Sequence, residues 1–380
     1  MATRPTIVID GAGIGGLALA QALHHAEIDV TVLERDRSPQ TRGQGYRLHI
    51  DADGNDALRR CLPVAVLDRV RATSGINGDR VTGFTDQLVE VMTQEFPDLP
   101  ATEISNVDRN TLRAGLLTNL GRVVRFGSTV TGFEVAGDRV HVQTTTGSTT
   151  ADLLVGADGV GSAVRRTLLP HAVVDDLGLR CIYGRMPLTR ATVVLVPPVV
   201  LRGFSWVVGG VGLAPVQFRS PVDGAMDYLM TTFVATPARL GVTDEELFAA
   251  APARLRRLAV DGVAGMHATI QEIFDRSDAS SYLPIALRAA RRVDAWPSGP
   301  VTLIGDAIHA MPPTGGVGAN TALRDAADLA ERITGALSSS RPLREAVAAY
   351  EAVAVPRGFD TVDAALAVAR TLFGAEITTA

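Results

Sequence analysis

The segment Gly11-Ala12-Gly13-Ile14-Gly15-Gly16 constrains this chain more than any other feature. It follows a β-branched run, Thr6 to Asp10, and precedes a helix-compatible stretch, Leu17 to His25. The first glycine permits a tight turn, the second lets backbone approach a ligand, and the third lets helix pack against strand. Val30 to Leu33 reads as the next strand and ends at Glu34, a carboxylate placed to accept ribose hydroxyls. Strand, turn, helix and strand in this order predict a βαβ unit with a parallel pair. The helix start after such a turn offers free N–H groups and about half a positive charge to a pyrophosphate. Asp10 puts an anion where phosphate would sit, and the expectation is that it caps backbone N–H groups of the turn.

Two more turns follow the same logic. Val301 to Ile304 reads as a buried strand, with Asp306 at its end. Gly315-Gly316-Val317-Gly318-Ala319-Asn320 then feeds a long helix expected from Ala322 to Leu337. Leu153 to Val155 leads into Gly156-Ala157-Asp158-Gly159, where Asp158 reads equally as a helix cap and as a ligand-binding residue. Dinucleotide-type turns at both ends of a chain point to one large cofactor gripped at two places, and FAD fits that description.

Residues 43–50 are expected as a strand with Arg47 and His49 on one face. Residues 55–73 read as a helix interrupted at Pro63, 108–120 as a helix, and 122–155 as a meander turning at Gly137-Asp138 and Thr146-Gly147. Val193 to Val196, Phe204 to Val208 and Val211 to Phe218 read as strands, and Asp244 to Leu258 as a helix. An alanine-rich amphipathic helix is expected over 343–373. The fold class is therefore α/β: a Rossmann-like FAD-binding domain with a parallel sheet, a β-sheet substrate domain and C-terminal helices. The expected boundaries are 1–72, 100–175 and 289–340 for the first, 73–99 and 176–288 for the second, and 341–380 for the last.

Charge narrows the partners. The net charge is -5, so the chain lacks the basic footprint of a nucleic-acid or anionic-membrane binder. All 36 basic residues are arginine, which removes Schiff-base chemistry and any lysine general base. Cys61 and Cys181 form neither a CxxC pair nor a metal-ligand spacing, so no metal site is expected. The most apolar stretch, Ala191 to Val216, is broken by Pro197-Pro198 and Arg202, leaving no span of ~20 apolar residues. The N-terminus runs directly into the first strand, so no signal peptide is expected, and the cytoplasm is the expected compartment. Monomer and homodimer are both open.

Taken together, GAGIGG with Glu34-Arg35, DRNTLR (Asp108 to Arg113), LLVGADGVGSAVRR (Leu153 to Arg166) and LIGDAIHAMPPTGGVGAN (Leu303 to Asn320) resemble the FAD-dependent aromatic-hydroxylase family. These are the single-component flavoprotein monooxygenases typified by para-hydroxybenzoate hydroxylase. The stretches span most of the chain in the family's order. Chain size and the ERDRSPQTR segment look most like the branch that includes tetracycline-inactivating monooxygenases. The resemblance implies roles at matching positions. Gly11, Ala12, Gly13, Ile14, Gly15 and Gly16 would hold the pyrophosphate; Glu34 would hold the adenosine ribose, with Arg35 beside it. Arg109 would contact FAD near its ribose and pyrophosphate, and Gly305 and Asp306 would serve the pyrophosphate and ribityl region. Gly318, Ala319 and Asn320 would lie against the isoalloxazine. Asp158 and Gly159 would sit where FAD and a transient nicotinamide cofactor both come near, and Arg42 matches a position tied to that nicotinamide. Val317 departs from a frequent glutamine, and Ala310 from a frequent proline.

The implied reaction uses NADPH or NADH to reduce FAD. With O2, a flavin C4a-hydroperoxide would then hydroxylate an aromatic or polyketide-like small molecule. Arg47 and His49 are the candidate groups beside flavin and substrate, although His49 reads equally as a strand residue bonded to backbone. His309 reads as structural. Oxidase or dehydrogenase turnover, Baeyer–Villiger insertion and a non-catalytic FAD-binding sensor share these motifs and stay open. Halogenation is disfavoured, because that branch relies on a lysine.

Overall fold

The computed structural model describes residues 5–39 and 45–374. A five-stranded parallel sheet runs in the order Val301–Leu303, Leu153–Gly156, Thr6–Asp10, Asp29–Glu34, Val124–Phe126. Its central strands are covered on both faces, which is why they read as continuous Ile, Leu and Val rather than as an alternation. Three neighbouring strands, Val301–Leu303, Leu153–Gly156 and Thr6–Asp10, each lead into a glycine turn. Motifs far apart in sequence therefore reach one edge of one sheet, where ligands of open α/β sheets bind. The helices Ile14–His25 and Gly318–Ser338 cross closely above that edge. A Cβ on Gly15 would lie 3.1 Å from Ala322 O, and one on Gly305 would lie 2.9 Å from Ala322 Cβ.

A seven-stranded sheet stands opposite. Its order is Leu283–Ala290, Val174–Pro187, Tyr228–Ala235, Val211–Val216, Gly203–Val207, Arg80–Phe84, Glu90–Glu95. Alternation along these strands splits their side chains between two cores. Ile182, Met186, Leu213, Leu229 and Phe233 pack with Leu255, Ile270 and Phe274 of the helices Pro252–Gly262 and Ala268–Asp275. Tyr183, Ala214, Tyr228 and Met230 face the other way and join Leu154, Leu303 and Ile308 of the parallel-sheet unit. A three-stranded antiparallel meander, Val130–Ala136, Arg139–Thr144 and Gly147–Ala151, completes the β-structure. The C-terminal helix Leu343–Phe373 lies along Gly318–Ser338, with Tyr350, Phe359 and Val362 buried.

Several expected elements differ. Val193 to Val196 is no strand: Val193–Leu195 forms a 3-10 turn. Thr189 and Thr192 bond the local backbone there, Val193 N donates to Thr189 O, and Pro197-Pro198 follows. This local bonding outcompetes the β-branched run. The expected helix Asp244 to Leu258 is two, Asp244–Ala249 and Pro252–Gly262, because Pro252 lacks an N–H and forces Ala251 to be extended. The helix expected over 108–120 stops at Leu116. The helix expected from Ala322 begins at Gly318. Within 43–50, Arg47–His49 is the strand among the described residues. Among the described residues no helix is long and apolar enough to cross a membrane, and no cluster of His, Cys, Asp or Glu could hold a metal ion.

Candidate cofactor and substrate site

At the first turn the glycines divide by cause. Gly11 has φ +109°, and a Cβ there would sit 2.4 Å from Ala157 O; a Cβ on Gly16 would sit 2.1 Å from Gly11 O. Packing requires both. At Gly13 the nearest atom would be Ala157 O at 3.9 Å, so its missing side chain keeps open space instead. The helix Ile14–His25 starts there with no capping side chain and no acidic residue in its first turn, leaving its N–H groups for an anion. Buried Glu34 accepts from Ala12 N (2.9 Å) through Oε2 and from Asp36 N (2.9 Å) through Oε1. Arg113 Nη2 lies 3.6 Å from the same Oε2, and Arg113 Nε donates to Ala12 O at 2.9 Å. Arg113 thus ties the turn to the end of the second strand, a role the sequence reading missed. Its i+4 spacing from Arg109 on helix Arg109–Leu116 was the available signal. Arg35 is exposed beside Glu34. Arg42 lies outside the described residues.

Asp10 does not cap the turn. It is buried facing Asp158 and Glu34; burial first, and then the charge of Asp158, push its carboxyl up to about 8. Below that pH it is protonated and adds no anion beneath the turn. Its proton supplies a donor for the facing Asp158 carboxylate. Asp158 Oδ2 accepts from Ala163 N (2.6 Å) at the start of the next helix. Gly159 has φ +77°, with no atom within 4 Å of its Cβ position.

At the second turn, Asp306 does not end the strand. Gly305 (φ +58°) intervenes, and Asp306 opens the one-turn helix Asp306–His309. Its side chain is exposed, yet crowding protein raises its carboxyl pKa, partly offset by His309 and Arg109. That combination marks the floor of a cleft. A Cβ on Gly318 would lie 3.9 Å from Asp306 Oδ1, so this carboxylate and the start of Gly318–Ser338 border one space. That helix also opens with no capping side chain and no acid in its first turn. Ala319 is half-buried next to it. Asn320 is buried, donating from Nδ2 to His49 O (3.1 Å) and accepting at Oδ1 from Asp51 N (3.2 Å).

Beneath the second turn runs a charge chain that sequence reasoning did not find. Fully buried Asp325 accepts from Gly305 N (3.0 Å) and from His309 Nε2 (2.6 Å) at Oδ2, and from Arg357 Nη2 (3.0 Å) at Oδ1. Arg357 continues to Asp328 (2.6 Å), and Asp328 to Arg60 (3.0 Å). Burial alone would lower the His309 pKa, but the charge and hydrogen bond of Asp325, with Asp306 adding, raise it overall.

The substrate side is built on the strand Arg47–His49, paired antiparallel with Asn106–Asp108. His49 Nδ1–H donates to Ser105 O (2.9 Å), since a carbonyl only accepts, and Nε2 keeps its lone pair. Burial, then Arg47, lowers the His49 pKa below 6.5, so the ring is a neutral base at pH 7. A Cβ on Gly316 would lie 3.4 Å from His49 Cβ, which puts His49 against the second turn. At the Arg47 end of this strand pair, Tyr228 OH donates to Asp108 Oδ2 (2.9 Å), and Arg185 lies over the Tyr228 ring at 5.2 Å. Arg109 lies over the Tyr46 ring at 5.8 Å. Register puts half-buried Trp206 on the same sheet face as Gly212 and Ala214, and the Phe204 ring also packs over Gly212.

The FAD binding domain family matches residues 4–173 and 267–365. The chain belongs to this family. Among solved structures, a putative FAD containing monooxygenase from Photorhabdus luminescens is 27% identical, with TM-score 0.83 over 97% of this chain and 100% of that one. Klebsiella pneumoniae HpxO complexed with FAD and uric acid shares the fold, at 23% identity and TM-score 0.77, over 97% of this chain and 89% of that one. Among curated relatives, the dual O-methyltransferase/FAD-dependent monooxygenase elcB of Phaeosphaeria nodorum is 29% identical, covering 97% of this chain and 46% of elcB. Zeaxanthin epoxidase of Arabidopsis thaliana is 31% identical over 84% of this chain and 46% of that protein. The chain spans about half the length of these curated relatives. FAD suits the residues present: two open helix N-termini, free space at Gly13 and a cleft carboxylate at Asp306 meet at one sheet edge.

Proposed function

We propose that this FAD-binding protein is an NAD(P)H-dependent monooxygenase that hydroxylates an aromatic or polyketide-like small molecule. The observation that carries the reading is neutral His49, with Nε2 free, set against the flavin-type turn at Gly316. FAD, reduced by NADH or NADPH and reacting with O2, would supply the oxygen chemistry when bound. The protein's part is separate. Gly13 and the helix behind it would hold the pyrophosphate, Glu34 and Arg35 the adenosine ribose, and Arg109 and Asp306 the middle of the cofactor. Gly318, Ala319 and Asn320 would carry the ring, and Asp158 and Gly159 would border the passing nicotinamide. His49 Nε2 would accept the proton of a substrate hydroxyl, making the ring more electron-rich. The seven-stranded sheet, as substrate domain over 73–99 and 176–288, would close the site against water. Names of relatives support the oxygenase class: elcB and zeaxanthin epoxidase are both oxygen-inserting by name. A cytoplasmic monomer or homodimer completes the reading.

The test is an aerobic assay of FAD-loaded protein with NADPH and NADH against a panel of phenols and aromatic polyketides. Flavin bleaching, hydrogen peroxide and product mass are followed together. Substrate-dependent bleaching with gain of one oxygen atom is the expected result. Stoichiometric peroxide without oxygenated product across the panel would replace this reading with an oxidase.

A further inference from the structure

We propose that Arg47 is a recognition site for an anionic oxygen on the substrate, a carboxylate or an ionised hydroxyl carried by a flat aromatic ring. This rests on the reading that the space beside Arg47 receives the substrate. Three buried arginines give donors to acceptors within the protein. Arg113 bonds Ala12 O and Pro39 O and faces Glu34; Arg165 bonds Ala307 O and Val160 O; Arg180 is clamped by Asp176 and Asp244. Arg47 is treated differently. It is half-buried, and its Nε is buried with no partner. Arg165, with a likewise unpartnered Nε, still bonds two backbone carbonyls, whereas among the described residues the Arg47 guanidinium has neither a hydrogen bond nor a carboxylate within 4.0 Å.

The natural counter-ion is close but already engaged. Asp108 stands directly opposite Arg47 in the strand ladder. Its Oδ1 accepts from Asn110 N and Thr111 N, and its Oδ2 from Tyr228 OH, with Arg185 Nη1 at 3.9 Å. Burial lowers Arg47 only to about 10, so the guanidinium stays charged at neutral pH. A cation whose Nε is buried without an acceptor is costly, and folds keep such a group where a ligand completes it. Its direction decides which ligand. Arg47 shares a strand face with His49, and Asp108, opposite it in the ladder, holds the hydroxyl of Tyr228 from the seven-stranded sheet, which brings that ring to the same face. Phe204 and Trp206 supply a flat apolar wall on that sheet. A guanidinium on the face that receives the Tyr228 ring, opposite a sheet that also carries Phe204 and Trp206, selects an aromatic ring bearing an oxyanion, and matches carboxylate geometry best.

The probes are two matched pairs, each an anion-forming compound with a neutral analogue, titrated into the FAD-loaded protein with flavin absorbance as readout: 2-naphthoate against 2-naphthamide, and 2-naphthol against 2-methoxynaphthalene. The first pair reports a carboxylate, the second an ionisable hydroxyl. Wild type should bind at least one anion-forming member about tenfold more tightly than its neutral partner. Arg47→Met should erase that preference while retaining its FAD, and Arg47→Lys should restore part of it. Arg47→Gln replaces Arg47→Met if the latter does not fold. Three results overturn the proposal: equal or absent binding of both members of both pairs, a preference that survives in Arg47→Met, or loss of FAD from Arg47→Met, which would assign the guanidinium to the cofactor. Because the readout is binding, failed oxygen insertion with the anion preference intact would refute the monooxygenase reading and leave this one standing.

Discussion

Replacing Asp325 with asparagine removes the one charge that both His309 and Arg357 share. The carboxylate is fully buried, lies 2.6 Å from His309 Nε2 and 3.0 Å from Arg357 Nη2, and also accepts Gly305 N. An asparagine keeps one acceptor but turns an amide N–H₂ toward groups that are themselves donors. Breaking a buried pair from one side costs ~3–5 kcal/mol. Arg357 retains Asp328 and His309 can shed its proton, so the lower end applies, about 3 kcal/mol at pH 7. Urea unfolding of the two proteins measures it.

The pH dependence tests the cause. In the wild type His309 is raised above 6.5, so its contribution to stability is full below pH 6.5 and is lost as pH rises through the folded value. In Asp325→Asn, burial without the carboxylate drives His309 the other way, and its contribution then improves as pH rises toward 6.5. The gap between the proteins should therefore narrow from pH 5 to pH 9. Other titrating groups, Asp10 among them, are common to both and cancel. A difference under about 1 kcal/mol, or one that is flat or widening with pH, would refute the reasoning.

Two glycine substitutions should separate packing from cofactor binding. Gly13→Ala meets no close atom, so the apo-protein's stability should stay within about 0.5 kcal/mol while FAD affinity, read by fluorescence titration, falls about tenfold or more. Gly16→Ala, 2.1 Å from Gly11 O, should destabilise the apo-protein by roughly 1–3 kcal/mol or more; the opposite ranking would show that the turn's glycines are misassigned. Asp10→Asn addresses proton linkage: a carboxyl raised from 3.8 to about 8 contributes stability present below pH 3.8 and lost as pH rises through about 8. The asparagine variant should therefore show a flatter melting temperature between pH 5 and 9, and equal slopes would mean that Asp10 is ionised at neutral pH. Tyr228→Phe takes one donor from buried Asp108 and should cost about 1.5–3 kcal/mol in denaturant unfolding; an unchanged midpoint would show that water replaces the hydroxyl.

What could be read in the chain was local. The turn at Gly11 is legible because the requirement for glycine is expressed within a few residues, as are the strand before it and the helix after it. What makes that turn obligatory is not local: the atom a side chain would strike is Ala157 O, on a neighbouring strand. The misreading of Asp10 has the same origin. Its chemistry as an isolated aspartate is that of an anion or a cap, and its raised pKa comes first from burial and then from Asp158, which pairing of Thr6–Asp10 with Leu153–Gly156 brings alongside. Val193 to Val196 failed for the opposite reason. Its β-branched residues promised a strand, but Thr189 and Thr192 satisfied the backbone locally, so no neighbour was recruited.

The arginines divide their work by packing that residue type alone does not express. Arg109 and Arg113 are one helical turn apart in one motif, and residue type cannot divide their work. The structure gives Arg113 to the backbone of the first turn and leaves Arg109 over Tyr46, at the cleft. Arg47 is the harder case, because its significance lies in what its neighbours are already doing. Asp108 is committed to two backbone N–H groups and to Tyr228 before Arg47 can claim it. Only a full account of donors and acceptors exposes a cation left over, and such an account needs three strands that are separate in sequence: Arg47–His49, Asn106–Asp108 and Tyr228–Ala235. The groups most informative about a ligand are thus those whose pairing the rest of the fold declines to complete.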